Sequence, residues 1–180
     1  TSSAWSVNTS KSISSDVTYY AITRKDAKTL TATFNANNAT LVDTANTDSN
    51  TKDTCNIAAT YNGTAQGTTC TVHSPNITAP TNTPTVLGWN TTSGATSSAW
   101  TVNTAKTFTS DASYYAITRK DITATFIKNG ADEISNTSEK CTLYNDDKYC
   151  IIQVPNIIHN SGKISGWNTV ESSSTILYSS

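Results

Sequence analysis

The chain has 180 residues, is 36% hydrophobic and 14% charged, and carries a net charge of −1. That balance allows one or two small domains with a thin core and excludes the basic stripe that nucleic acid or anionic lipid attracts. No apolar run approaches the roughly 20 residues of a membrane-spanning helix, so neither nucleic acid nor a membrane is expected as a partner.

Polarity comes mainly from Thr, Ser and Asn, the mix of exposed β proteins in which Thr favours strands and Asn and Ser favour turns. Methionine is absent, as expected of a fragment or a processed mature chain. No charged stretch followed by an apolar one opens the sequence, so no signal peptide is read there.

Residues 3–26, SAWSVNTSKSISSDVTYYAITRKD, are written again as residues 98–121, SAWTVNTAKTFTSDASYYAITRKD, at a constant offset of 95. An ungapped copy of this length is a tandem duplication and governs the rest of the reading. Within the first copy, residues 12–22 have strand character through Ile13, Val17, Tyr19, Tyr20 and Ile22, broken by a turn at Ser14-Ser15-Asp16. LTATF at 30–34 follows, a strand with Leu30, Ala32 and Phe34 on one face, and it recurs as ITATF at 122–126. The Asn- and Thr-rich stretch 35–53 reads as a loop with a short strand at 39–42. Pro-Asn-Ile recurs at Pro75-Asn76-Ile77 and Pro155-Asn156-Ile157, where a short helical turn is expected at most. Each copy then reaches Gly-Trp-Asn-Thr, at 88–91 and 166–169.

Two phases of the repeat fit this order. Units of 1–95 and 96–180 begin at the Trp-containing block. In the alternative, 27–121 is one complete unit flanked by partial units, and the block closes the unit ahead of it.

Four cysteines allow three pairings. Repeat logic favours Cys55 with Cys70 and Cys141 with Cys150. Folding each segment so that its cysteines face each other centres the turns on Asn62-Gly63 and Asn145-Asp146, and Asn-Gly is the strongest short hairpin signal. Each copy is therefore expected to carry a disulfide-stapled hairpin, the longer one with a bulge near Gly67. The rivals are a metal site and free thiols; the long spacings and the non-equivalent His73 and His159 count against zinc. Each bridge should stabilise its unit by roughly 3 kcal/mol and places the chain outside a reducing cytosol.

Other residues are candidates for chemistry. Trp5, Trp89, Trp100 and Trp167 fill a small core or form a stacking platform, and their repetition in strand context favours the core. Tyr19-Tyr20 and Tyr114-Tyr115 are adjacent, so one of each pair points outward on a strand; Tyr20 and Tyr115 are the candidate contact surface. Arg24-Lys25-Asp26 and Arg119-Lys120-Asp121 read as a salt-bridged, solvated hinge between repeats. Asp132-Glu133 and Asp146-Asp147 lack calcium-ligand spacing, and no metal or other cofactor is expected. Lys11, Lys106 and Asn103 are the candidates for a Lys–Asn crosslink. No nucleophile, base or phosphate-binding loop is evident, so no catalytic residue is assigned and an enzyme is not expected.

Several of these motifs resemble the Listeria–Bacteroides repeat (InlB B-repeat) family of bacterial surface proteins. The similar residues are Thr125-Phe126 with Asn129-Gly130, Tyr144-Asn145 with Tyr149 and Val154-Pro155, Gly166-Trp167-Asn168-Thr169, and Asp111 with Tyr114-Tyr115-Ala116. The cysteines and the long Asn/Thr loop are additions to that family's pattern. The resemblance implies a mostly β, β-grasp-like module used in tandem arrays outside Gram-positive cells, where neighbouring repeats are its partners. Its expected role is a stalk or spacer. The alternative is an adhesin module that binds host protein or glycan through exposed Tyr and Trp.

Overall fold

A computed structural model of the chain describes residues 5–171. Among these residues there are thirteen strands and no helix. They are β1 (Arg24–Lys25), β2 (Lys28–Asn35), β3 (Thr40–Val42), β4 (Lys52–Ile57), β5 (Thr60–Tyr61), β6 (Cys70–His73), β7 (Asn76–Thr78), β8 (Thr85–Asn90), β9 (Ala105–Phe108), β10 (Ala112–Thr125), β11 (Glu133–Ile134), β12 (Ser138–Tyr144) and β13 (Ile157–Ile158). The helical turn expected after each Pro-Asn-Ile is not formed: Asn76 opens β7 in the first copy, and Ile157 opens β13 in the second.

The main sheet has five strands, in the order β12-β10-β2-β4, with β8 also paired to β10. Strand β2 is built as its alternation dictates. Leu30, Ala32 and Phe34 are buried at 0%, 0% and 2% exposure, while Thr33 faces out. Its antiparallel partner β4 sets Cys55 opposite Leu30, and its parallel partner β10 sets Tyr114 opposite Phe34. Two-stranded pieces cover the core, among them β6 with β9 and β3 with β7.

The core is aromatic. Phe34 lies 4.8 Å from Trp89 and 5.6 Å from Trp100, and Trp100 lies 5.0 Å from Tyr114 and 5.8 Å from Phe108. Tilted and edge contacts at these separations are the favoured ring arrangements. Trp89 and Trp100 thus fill the core, as their repetition suggested. Gly88 makes room for the approach: at φ 131° a Cβ would stand 2.5 Å from the Trp100 carbonyl, which accepts from Trp89 N–H at 2.7 Å. All twelve residues of the main core cluster fall between Leu30 and Ala116. Four of them, Trp100, Phe108, Tyr114 and Ala116, come from the block 98–121.

Both expected disulfides are present, with Cα atoms 5.7 Å apart for Cys55–Cys70 and 6.0 Å for Cys141–Cys150. They do not staple hairpins. The turn chemistry works locally: Asn62 and Gly63 both take positive φ, and Thr64 N–H reaches the Tyr61 carbonyl at 3.0 Å. The strands beyond the turn choose distant partners, however. β5 pairs with β1, and β6 pairs with β9, which sets Cys70 opposite Phe108. The first bridge therefore ties the main sheet to the β6–β9 pair, and no bulge at Gly67 is needed. In the second copy Cys141 lies in β12, while Cys150 lies outside any strand. A turn signal fixes the turn; the long-range ladder decides what the arms pair with.

Asp53 is a buried carboxylate, 4% exposed, whose two oxygens accept from Asp48 N–H at 3.1 Å and from His73 N–H at 2.5 Å. It joins β4 to the end of β6. Asp53→Asn keeps the shape but turns one acceptor into a donor facing a donor. We expect it to destabilise the protein by about 1.5–3 kcal/mol, measured by urea unfolding with unchanged slope.

Candidate functional site

The two copies of the duplicated block have different surroundings. In residues 98–121 the block is built into the sheet. In residues 5–26 only Arg24–Lys25 form strand, and the strand expected over 12–22 is not made. Here Val17, Tyr19, Tyr20 and Ile22 are 50%, 53%, 85% and 63% exposed. Identical propensity gives different structure because strand β10 has β2 and β8 beside it, whereas no strand pairs with 11–22 among the described residues.

The exposed copy nevertheless keeps the local geometry of the buried one. Asn8 and Asn103 both have positive φ, 55° and 51°. Thr9 Oγ1 donates to the Ser6 carbonyl, and Thr104 Oγ1 to the Thr101 carbonyl, each at 2.7 Å. Trp5 lies 5.2 Å from Tyr19, as Trp100 lies 5.0 Å from Tyr114. The Lys11 ammonium sits 4.8 Å from the Trp5 ring and that of Lys106 5.6 Å from Trp100, within cation–π range. Lys11 and Lys106, the candidate crosslinking lysines, are thus held over tryptophan rings.

The second repeat offers the complementary feature, a groove of about 1130 Å³ lined by residues including Phe126, Ile152, Val154, Ile157, Ile164 and Trp167. Its floor repeats the first core. Phe126 lies 5.1 Å from Trp167, matching Phe34 with Trp89. Trp167 Nε1 donates to the Pro155 carbonyl at 3.2 Å, as Trp89 Nε1 does to Pro75 at 3.3 Å. Gly166 has the same φ of 131° as Gly88. Asn129 Nδ2 donates to Glu171 O at 3.0 Å, the counterpart of Asn37 Nδ2 on Ser93 O at 2.8 Å. Yet Ile122, Ala124 and Phe126, on the face equivalent to Leu30, Ala32 and Phe34, are only half-buried. Among the described residues the groove has no counterpart of Trp100, Phe108 and Tyr114.

Asp132 stands beside His159, which lines the groove. Its Oδ2 accepts from Asn160 N–H at 2.6 Å and lies 3.4 Å from His159 Nδ1. The backbone N–H of Asn160, then the neighbouring His159 and Lys128, hold its carboxyl below the ordinary carboxylate range. Asp147 Oδ2 caps its own turn by accepting from Tyr144 N–H at 2.9 Å. Among the described residues no group of three or more His, Cys, Asp or Glu side chains is gathered to hold a metal ion.

The junction between repeats is the other prominent feature. Arg119-Lys120-Asp121 is solvated and salt-bridged at 3.8 Å, but it is not a hinge. It lies inside the 14-residue strand β10, paired with Tyr144, Leu143 and Thr142 of β12. Asn145, 5% exposed and at φ 51°, locks this joint. Its Oδ1 accepts from Thr118 N–H at 3.1 Å, its Nδ2 donates to Ser93 O at 3.0 Å, and its carbonyl accepts from the buried Thr83 hydroxyl at 2.9 Å. From sequence alone Asn145 reads as a turn former. Its repetition of Asn62 at equivalent turns was the available signal.

Of the two candidate contact tyrosines, Tyr20 is exposed, while Tyr115 is half-buried between Asn35 of β2 and Asn90 of β8. The two disulfides belong to an extracellular or otherwise oxidising environment. No described helix is long and apolar enough to cross a membrane. No protein-family model, curated protein or solved structure matches the chain.

Proposed function

We propose that the chain is a non-enzymatic spacer built of tandem β modules in a bacterial surface or secreted protein, with 27–121 as its complete module. The observation that carries this reading is β10, which closes the sheet of β2 and β8 with its first half and pairs with β12 of the next repeat with its second. A strand shared by two modules sets their relative orientation, which is what a projecting stalk needs. The parallel pairing of β2 with β10 supports the β-grasp-like description of the module. The motifs similar to the Listeria–Bacteroides repeat support the surface array.

Small-angle scattering tests the spacer. At a concentration where it is monomeric, the chain should behave as one rigid elongated body, and inserting Gly-Ser-Gly-Ser between Lys120 and Asp121 should broaden its distance distribution. Identical curves for the two proteins would remove the support that β10 lends. The adhesin reading makes a different demand: saturable binding on a glycan or protein array, lost in the Tyr20→Ala/Tyr115→Ala variant.

A further inference from the structure

Among the described residues there is a closing block with no sheet around it and a sheet with no closing block in it. Each half keeps part of the local geometry of the complete module, where the two are joined: the Asn8 turn and the Trp5–Tyr19 contact in the block, Gly166 and the Phe126–Trp167 contact in the sheet. In that module, Trp100 packs on Phe34 beside Trp89, and residues Ala112 to Tyr115 lie parallel to Ala32 to Asn35. The counterparts are Trp5, Phe126, Trp167, the residues Val17 to Tyr20, and the edge Ala124 to Ile127. Ala124 and Thr125 of that edge end β10, whose other side is taken by β12 as far as Thr125; Phe126 and Ile127 continue it beyond the strand, and no described strand pairs with the edge.

We propose that the groove of the second repeat is a docking site for residues 5–26 of a second copy of this chain, which complete the module by strand addition. Val17 to Tyr20 of the incoming copy run parallel to Ala124 to Ile127, and Trp5 and Tyr19 cover Phe126 and Trp167. Backbone hydrogen bonds supply affinity and the aromatic pocket supplies register. One polar contact is specified in advance. Asn37 Nδ2 donates both to Ser93 O and, at 2.9 Å, to Ala116 O. Asn129 already holds Glu171 O, so its second bond goes to the carbonyl of Ala21 of the incoming copy.

A second copy fits because the incoming block keeps its own attachment. Arg24 and Lys25 stay paired with Tyr61 and Thr60, just as Arg119 and Lys120 stay paired with Tyr144 and Leu143. The block then spans two modules, as β10 does. Such a contact is heterologous, so it propagates from copy to copy, into a ring where the rotation closes and into a linear chain where it does not.

The test is sedimentation velocity of the full chain over a wide concentration range. The wild-type should grow into concentration-dependent oligomers. Trp5→Ala, which spoils the donor, and Trp167→Ala, which spoils the acceptor, should each be monomeric alone. Mixed, they should form a one-to-one dimer that does not extend. Should Trp167→Ala fail to fold, a synthetic peptide of residues 1–26 replaces it. It should bind the Trp5→Ala chain, and the peptide carrying Trp5→Ala should bind at least about tenfold more weakly, about 1.4 kcal/mol. A wild-type chain that stays monomeric at every concentration would overturn the proposal. So would oligomers that survive Trp5→Ala, or a peptide that does not bind. The proposal rests on 27–121 being the module, not on the spacer role, and a monomeric chain with a rigid β10 joint would leave the spacer standing.

Discussion

Trp100→Ala is expected to cost about 3–5 kcal/mol of stability, the range for truncating a buried aromatic, and Trp5→Ala no more than about 0.5 kcal/mol in the monomer. The two residues occupy the same place in duplicated sequence, so propensity and local motif are controlled. What differs is the surroundings. Trp100 is 6% exposed and touches Phe34, Phe108 and Tyr114, while Trp5 is 43% exposed and touches Tyr19 and Lys11. Small domains are stable by only about 5–15 kcal/mol, so Trp100→Ala takes a large share of the total. Urea unfolding of both variants at a concentration where the chain is monomeric measures the difference. Equal costs would mean that block 98–121 does not close the core.

Removing Cys55–Cys70 is expected to destabilise the first core by about 3 kcal/mol, whereas removing Cys141–Cys150 should leave that core nearly unchanged. Loop length alone does not separate them, since sequence separations of 15 and 9 both correspond to roughly 3 kcal/mol in the chain-entropy estimate. Position does. Cys55 belongs to the core cluster, and its bridge ties the main sheet to the β6–β9 pair. The second bridge ties β12 to a segment beside the groove. The double variants Cys55→Ala/Cys70→Ala and Cys141→Ala/Cys150→Ala, followed by the fluorescence of the buried Trp89 and Trp100, report on the first core. A loss of similar size in both would show that the two repeats unfold as one unit.

Much of the module was legible because its signals are local or repeated. The period-2 face of Leu30, Ala32 and Phe34, the turn at Asn62-Gly63 and the paired cysteines all need only a few neighbouring residues or a comparison of copies. The ladders were not legible, because pairing β6 with β9 or β2 with β10 joins residues 32 to 80 positions apart, which propensity does not encode. Residues 12–22 show the same limit from the other side. They carry the strand-forming pattern of β10, yet remain exposed where no sheet edge accompanies them. The Asn145 lock stayed hidden because an Asn at a turn looks the same whether its amide faces solvent or bridges Thr118 and Ser93.

Hydrogen exchange followed by mass spectrometry, at a concentration where the chain is monomeric, tests most directly whether the duplicated block closes the module ahead of it. Amides of Tyr114 to Thr118 should exchange only through global opening of the core, together with those of Leu30 to Phe34. Amides of Val17 to Ile22 should exchange as an open chain. Protection of Val17 to Ile22 together with Leu30 to Phe34, while Tyr114 to Thr118 exchange freely, would contradict the account and make each block open the module that follows it.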